Sequence, residues 1–125
     1  MIVIDTSIWV DHFRREDDAL KALIADGVAM LHPFVLGELL LGGLPGRSEV
    51  TQLLRELAPA PLGTPEEAAA LIEWGKLAGT GVGYVDSHLL LSARLIESGM
   101  LLTGDRNLHA QAARLGVAYD GTLAR

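Results

Sequence analysis

Four acidic residues stand in places where an acid is costly unless something neutralises it. Asp5 follows the apolar run Ile2-Val3-Ile4 and precedes Thr6-Ser7. Asp105 follows Met100-Leu101-Leu102-Thr103-Gly104. Glu38 lies inside Phe34-Val35-Leu36-Gly37-Glu38-Leu39-Leu40-Leu41, and Asp86 opens Asp86-Ser87-His88-Leu89-Leu90-Leu91 directly after a stretch punctuated by glycines. A lone carboxylate in apolar surroundings tends to take up a proton, and several gathered together repel one another. Such a group makes chemical sense when it shares a cation. The chain has no cysteine, and His12, His32, His88 and His109 share no ligand spacing and read as surface or packing residues. The donors are therefore oxygens, which suit Mg²⁺ or Mn²⁺. Such an ion can activate water and stabilise an in-line displacement at a phosphodiester.

Each acid also has a purely structural reading. Asp5, with Thr6 and Ser7, and Asp86 are residues of the types that cap helices; Asp105 could close a turn with Arg106; Glu38 could be the one polar residue on a solvated edge. Asp11, Asp17, Asp18, Asp26 and Asp120 sit in polar or turn contexts and are taken as surface.

The elements that must position the four acids follow from hydrophobic period and punctuation. Residues 2–4 form a short β-branched strand that reads straight into a helix carrying Ile8, Trp9 and Phe13. A second helix starts at Asp17-Asp18, with Ala19, Leu20, Leu23 and Ile24 on one face, and ends at Gly27. Residues 28–31 are the next strand, and Pro33 opens a helix over 34–41 where its missing N–H costs nothing. Gly42-Gly43 stops that helix before a turn at Leu44-Pro45-Gly46. Residues 48–58 have helical spacing, and 58–62, broken by Pro59 and Pro61, are extended as a poor edge strand.

Thr64-Pro65-Glu66-Glu67 is a capping box with proline at the first helical position, heading a helix to about residue 77. Residues 79–83 form a glycine loop that lacks the strand before it and the Gly-Lys-Ser/Thr after it that a phosphate cradle requires. An apolar helix over 85–98, a strand at 100–103, a helix at 107–115 and a last strand at 117–119 complete the chain. Alternating strands and helices predict an α/β fold with parallel strands, in which ligands gather beyond the strands' carboxyl ends. Asp5 and Asp105 both lie there, so neighbouring strands would bring them into one crevice.

At 125 residues the chain is expected to form a single domain, 1–125. Hydrophobic residues make up 50% of it, yet no apolar run reaches the length of a membrane span; some of that surplus could lie on a face covered by a second copy or another protein. The absence of cysteine fits a cytoplasmic setting, and no signal peptide is expected from the N-terminus. A net charge of -6 argues against nonspecific, charge-driven nucleic-acid binding.

Taken in order, Asp5-Thr6-Ser7-Ile8-Trp9-Val10-Asp11, Gly37-Glu38-Leu39-Leu40-Leu41-Gly42, Gly83-Tyr84-Val85-Asp86-Ser87-His88-Leu89-Leu90 and Leu102-Thr103-Gly104-Asp105-Arg106-Asn107-Leu108 resemble the acidic motifs of PIN-domain ribonucleases, and most nearly the VapC toxins of toxin-antitoxin pairs. The resemblance spans essentially the whole chain. It implies a three-layer α/β/α sandwich with a central, mostly parallel sheet of four to five strands. It further implies a metal-dependent endoribonuclease in which Asp5, Glu38, Asp86 and Asp105 hold one or two Mg²⁺ or Mn²⁺ ions, with Thr6 or Ser7 positioning the first acid or its water. Homodimers, and a cognate antitoxin that packs into an apolar groove, are implied with it. Some relatives carry a further acid two residues after the fourth; here Asn107 stands there and could bind water or substrate.

On this reading RNA contacts fall to Arg14, Arg15, Arg47, Lys76 and Arg106, each of which could equally be a solvated charge at a helix end. Trp9 and Trp74 are taken as core or interface aromatics. Two other acidic-pocket folds fit less well. A signalling receiver domain needs a lysine after a late strand, whereas Lys21 and Lys76 lie in helical segments; a haloacid-dehalogenase-like phosphatase needs a second aspartate where Ser7 stands. A PIN-like RNA-processing nuclease outside any toxin pair, and a PIN-like scaffold that binds without cutting, remain open at this level.

Overall fold

Residues Ile2, Val3 and Ile4 are all fully buried. Successive strand residues point to opposite faces, so the sheet to which they belong must be covered on both sides. The computed structural model describes residues 1–43 and 47–121 and shows this arrangement. The turn expected at Leu44-Pro45-Gly46 lies outside the described residues, as does the side chain of Arg47. The order is β1 (Ile2–Ile4), α1 (Thr6–Arg14), α2 (Asp18–Ala25), β2 (Ala29–Leu31), α3 (Pro33–Leu41), α4 (Arg47–Arg55), β3 (Ala58–Pro59), α5 (Pro65–Trp74), α6 (Tyr84–Leu95), β4 (Met100–Leu102) and α7 (Arg106–Arg114).

The four strands are all parallel, in the order β3-β2-β1-β4. Ile2 pairs with Ala29 on one side and with Met100 on the other. The chain steps outward from β1 through β2 to β3, then crosses back to lay β4 against the free side of β1. That reversal opens a crevice beyond the carboxyl ends of β1 and β4, where such sheets bind ligands. α6 packs over β1 and β4 and against α5. Its run from Ser87 to Ala93 is buried without interruption, as a central helix requires. Gly63 is part of this packing: a Cβ there would overlap the side chain of Leu91.

Local signals hold where they are strongest. Thr64 and Glu67 form both halves of the capping box, at 2.9 and 3.1 Å, and Pro33 is the first residue of α3. Three helices end sooner than their periodicity suggests. α4 stops at Arg55 because Ala58 and Pro59 are drawn into β3, an edge position that tolerates a residue without an N–H. α5 stops at Trp74, after which Gly75 caps it and Lys76 turns left-handed (φ 51°). α6 stops at Leu95, with Ser98 left-handed at φ 55°. The strand expected at 117–119 contracts to a single parallel bridge between Leu101 and Ala118. Among the described residues no helix is long and apolar enough to cross a membrane.

Candidate active site

Asp5 ends β1 and caps α1, so its carboxylate is fixed from both sides. Oδ1 accepts the Thr6 backbone N–H at 2.7 Å, and Oδ2 accepts the hydroxyls of Ser7 at 3.0 Å and Thr103 at 2.6 Å. Only 7% of the residue is exposed. A buried carboxylate is tolerable when its lone pairs are filled by donors and a helix N-terminus faces it. The capping reading of Asp5 therefore holds, and the same geometry is compatible with a functional one.

Asp105 stands at the matching position beyond β4. It caps α7, accepting the Leu108 N–H at 2.9 Å, and its own N–H donates to Thr103 Oγ1 at 3.0 Å. The Thr103 hydroxyl thus joins the two strand-end acids, one through its side chain and the other through its backbone. Ser7 makes a second tie, accepting the Gly104 N–H at 3.1 Å while donating to Asp5.

Asp86 lies in the first turn of α6, and its Oδ2 reaches back to the Gly83 N–H at 3.1 Å. Burial pushes its carboxyl above the usual aspartate range. The Gly83 N–H opposes that rise, and the charges of Asp5, Asp105 and Glu38 add to it. Three of the four acids thus sit at helix N-termini, whose partial positive charge lets a negative cluster persist.

Glu38 departs from expectation. Its apolar neighbours in sequence suggested a desolvated acid, but the structure puts it on the exposed side of α3, because Val35 and Leu39 supply that helix's buried face. It joins the site from the surface, accepting the Thr6 hydroxyl at 3.0 Å. Of the two hydroxyls expected beside the first acid, that of Ser7 donates to Asp5 and that of Thr6 to Glu38 instead.

Among the described residues no three acidic or histidine side chains stand close enough to hold a metal ion directly in this arrangement. The donor set still fits one cation type. Mg²⁺ dehydrates reluctantly and is commonly bound through one or two carboxylates, the rest of its shell being water, and an all-oxygen cluster with the mutual repulsion felt at Asp86 offers that environment.

Around the acids, Arg106 and Asn107 are exposed in the first turn of α7. The Asn107 side chain lies against Gly81, where a Cβ would overlap its amide, so the glycine loop closes onto this edge of the site. Arg14 shares a small hollow with Glu38, Val10 and Gly43. Arg15 and Lys76 are exposed. The histidines are elsewhere in role: His12 accepts the Asp17 N–H, His109 is exposed, and His32 and His88 are buried. Trp9 is core at 3% exposure, whereas Trp74 is 65% exposed with Arg94 over its ring.

Sequence reasoning did not single out Thr103. The signal was present, since a hydroxyl at a strand's carboxyl end two residues before an acid is well placed to reach across to the neighbouring strand, but only the β1–β4 pairing shows what it reaches.

A model of the PIN domain matches residues 2–115. Ribonuclease VapC32 of Mycobacterium tuberculosis, from strain CDC 1551 / Oshkosh and from strain ATCC 25618 / H37Rv, is 41% identical over 118 residues, which cover 94% of this chain and 95% of the relative.

Proposed function

The chain belongs to the PIN-domain family, among its VapC-type members, and on that premise we propose that it is an endoribonuclease, dependent on Mg²⁺ or Mn²⁺, acting as the toxin of a toxin-antitoxin pair, with residues 1–125 as its single nuclease domain. The observation that carries the reading is Asp86, whose carboxyl is held up by burial and by the charges of Asp5, Asp105 and Glu38. Three acids distant from it in sequence are thus near enough for their charges to reach Asp86.

Asp5, Glu38, Asp86 and Asp105 would hold the ion. When bound it would neutralise their repulsion, lower the pKa of a water and offset charge on the phosphate. The chain's own residues do the positioning. Thr103 and Ser7 lock the Asp5 carboxylate so that it cannot rotate away, and Thr6 draws Glu38 inward from the surface. Arg106, Asn107 and Arg14 border the acids and supply the donors a phosphodiester needs in a protein whose net charge is -6. The substrate is an RNA such as tRNA or rRNA, met in the cytoplasm, and the active form is a homodimer.

An antitoxin has a groove to occupy. Between α1, α2 and α4 lies a hollow of about 570 Å³ lined by Trp9, Phe13, Ile24, Val50, Leu53 and Leu57. Leu53 is 64% exposed there and joins the partly buried Phe13, Ile24, Val50 and Leu57 in a contiguous apolar patch of the kind a partner covers. Because Asp5 caps α1, a segment seated in this groove would sit on the helix that presents the acid.

The test is RNA cleavage by purified protein with Mg²⁺ or Mn²⁺ and with EDTA, beside the Asp5→Asn and Asp105→Asn variants. Cleavage that needs the ion and both acids supports the reading; cleavage that persists in EDTA, or in either variant at full rate, overturns it.

A further inference from the structure

Tyr84 has no part in the reading above. It is the first residue of α6, two positions before Asp86 on the same helical turn, and 54% of it is exposed. An exposed tyrosine ordinarily moves freely. This one is braced from behind, its ring 4.8 Å from that of His88 at 80°. His88 in turn meets Phe34 at 4.9 Å and 71°, and Phe34 meets His32 at 5.1 Å and 67°. His88 is 2% exposed and His32 fully buried, so a ladder of four rings runs from the core to the surface and ends on Tyr84. A T-shaped contact uses at most one face of a ring, and more than half of Tyr84 stays exposed.

The root of the ring is held as well. Gly83, immediately before it, donates to Asp86, and Gly81 lies against Asn107 on α7. Tyr84 therefore stands at a tied helix N-terminus, in the same turn of α6 as Asp86. An exposed aromatic ring backed by buried His88 at the end of the helix that carries Asp86 suits an unstacked base, since unpaired RNA is recognised by stacking on aromatic side chains. It also suits this chain, because stacking gains affinity without a basic surface and the net charge here is -6.

We propose that Tyr84 stacks an unpaired nucleobase of the nucleotide adjoining the scissile phosphate. The inference rests on the nuclease reading above. The ring face provides the contact and the phenol hydroxyl is dispensable.

The test is single-turnover cleavage of one RNA oligonucleotide, and of its counterpart carrying an abasic residue next to the cut, by wild type, Tyr84→Ala and Tyr84→Phe, with melting temperature and size in solution measured alongside. Tyr84→Ala should lose roughly 5- to 150-fold on the intact RNA, the range that alanine replacement of base-stacking aromatics produces, while Tyr84→Phe stays near wild type. The abasic RNA should cost wild type a similar factor and cost Tyr84→Ala nothing further. Equal cleavage of intact RNA by wild type and Tyr84→Ala, additive losses on the abasic RNA, or a change of oligomeric state that accounts for the loss would each overturn the stacking role and leave the nuclease reading standing. A wild-type protein that cuts no RNA with Mg²⁺ or Mn²⁺ would overturn both.

Discussion

Thr103 Oγ1 donates to Asp5 Oδ2 at 2.6 Å, a buried hydrogen bond between residues 98 positions apart in the chain. The same oxygen accepts from the Asp105 N–H, which fixes the direction in which the hydroxyl proton points. Thr103→Val keeps the shape and removes the donor. It should cost about 1–3 kcal/mol in unfolding free energy, because a buried carboxylate loses a charge-assisted bond, and roughly 10- to 100-fold in RNA cleavage, as loss of a group that orients a metal ligand does. Thr103→Ser should restore most of both. Urea unfolding and cleavage rates on the two variants check this, and an unaltered rate in Thr103→Val would show that Asp5 does not need the tie.

Asp86 sets a pH dependence of definite sign. Its folded pKa lies above the ordinary value of 3.8, so between the two the folded state binds more protons than the unfolded state and stability falls as pH rises. Mg²⁺, by binding only the folded cluster, should reverse that loss. Melting temperatures measured without metal should therefore drop across this acidic window and recover with Mg²⁺, and Asp86→Asn should flatten the drop while abolishing cleavage. A metal-free profile identical in wild type and variant would sink the idea.

His32 works in the opposite direction. Burial, and to a lesser degree the nearby His88, lower its pKa from 6.5 to about 4. The unfolded chain then takes up a proton between those values that the folded chain refuses, so stability is full above pH 6.5 and declines as pH falls towards 4. The loss has an upper bound on the order of 3 kcal/mol. His88, lowered by its own burial, adds to it. His32→Asn keeps an acceptor for the Phe34 N–H that His32 Nδ1 now receives at 3.0 Å and has no proton to gain. Its unfolding free energy should be lower at neutral pH but less sensitive to acid, and an equally steep acid slope in the variant would assign the effect elsewhere.

Leu53 tests the groove. Because it is largely exposed, Leu53→Asp should leave the melting temperature and RNA cleavage close to wild type. Its charge would face an apolar segment of any antitoxin lodged between α1 and α4, and should weaken inhibition at least about tenfold, the scale of an interface anchor residue. Titration of cleavage activity with the protein encoded by the adjacent reading frame measures this; undiminished inhibition would place the antitoxin on another face.

Much of this molecule was readable without coordinates, because the forces concerned are local. Threonine and proline at 64 and 65, the β-branched run at 2–4 and the acid that ends it specify their conformations through near neighbours alone, and the alternation of strand and helix then leaves few topologies. The ends of elements were less legible. α4 and α6 stop where β3 pairing and a left-handed Ser98 intervene, and periodicity cannot register either.

Read alone, the chain places four acids at the ends of strands or in apolar helices and raises the expectation of a hard cation among them. Tertiary structure decided how they meet. It put β4 beside β1 and so let Thr103 reach Asp5, turned Glu38 outward with a hydroxyl to hold it, and set Phe34 of α3 against the His88 ring that backs Tyr84. Each of these is a contact between segments far apart in the chain, whose free energy depends on distances that no run of neighbouring residues encodes.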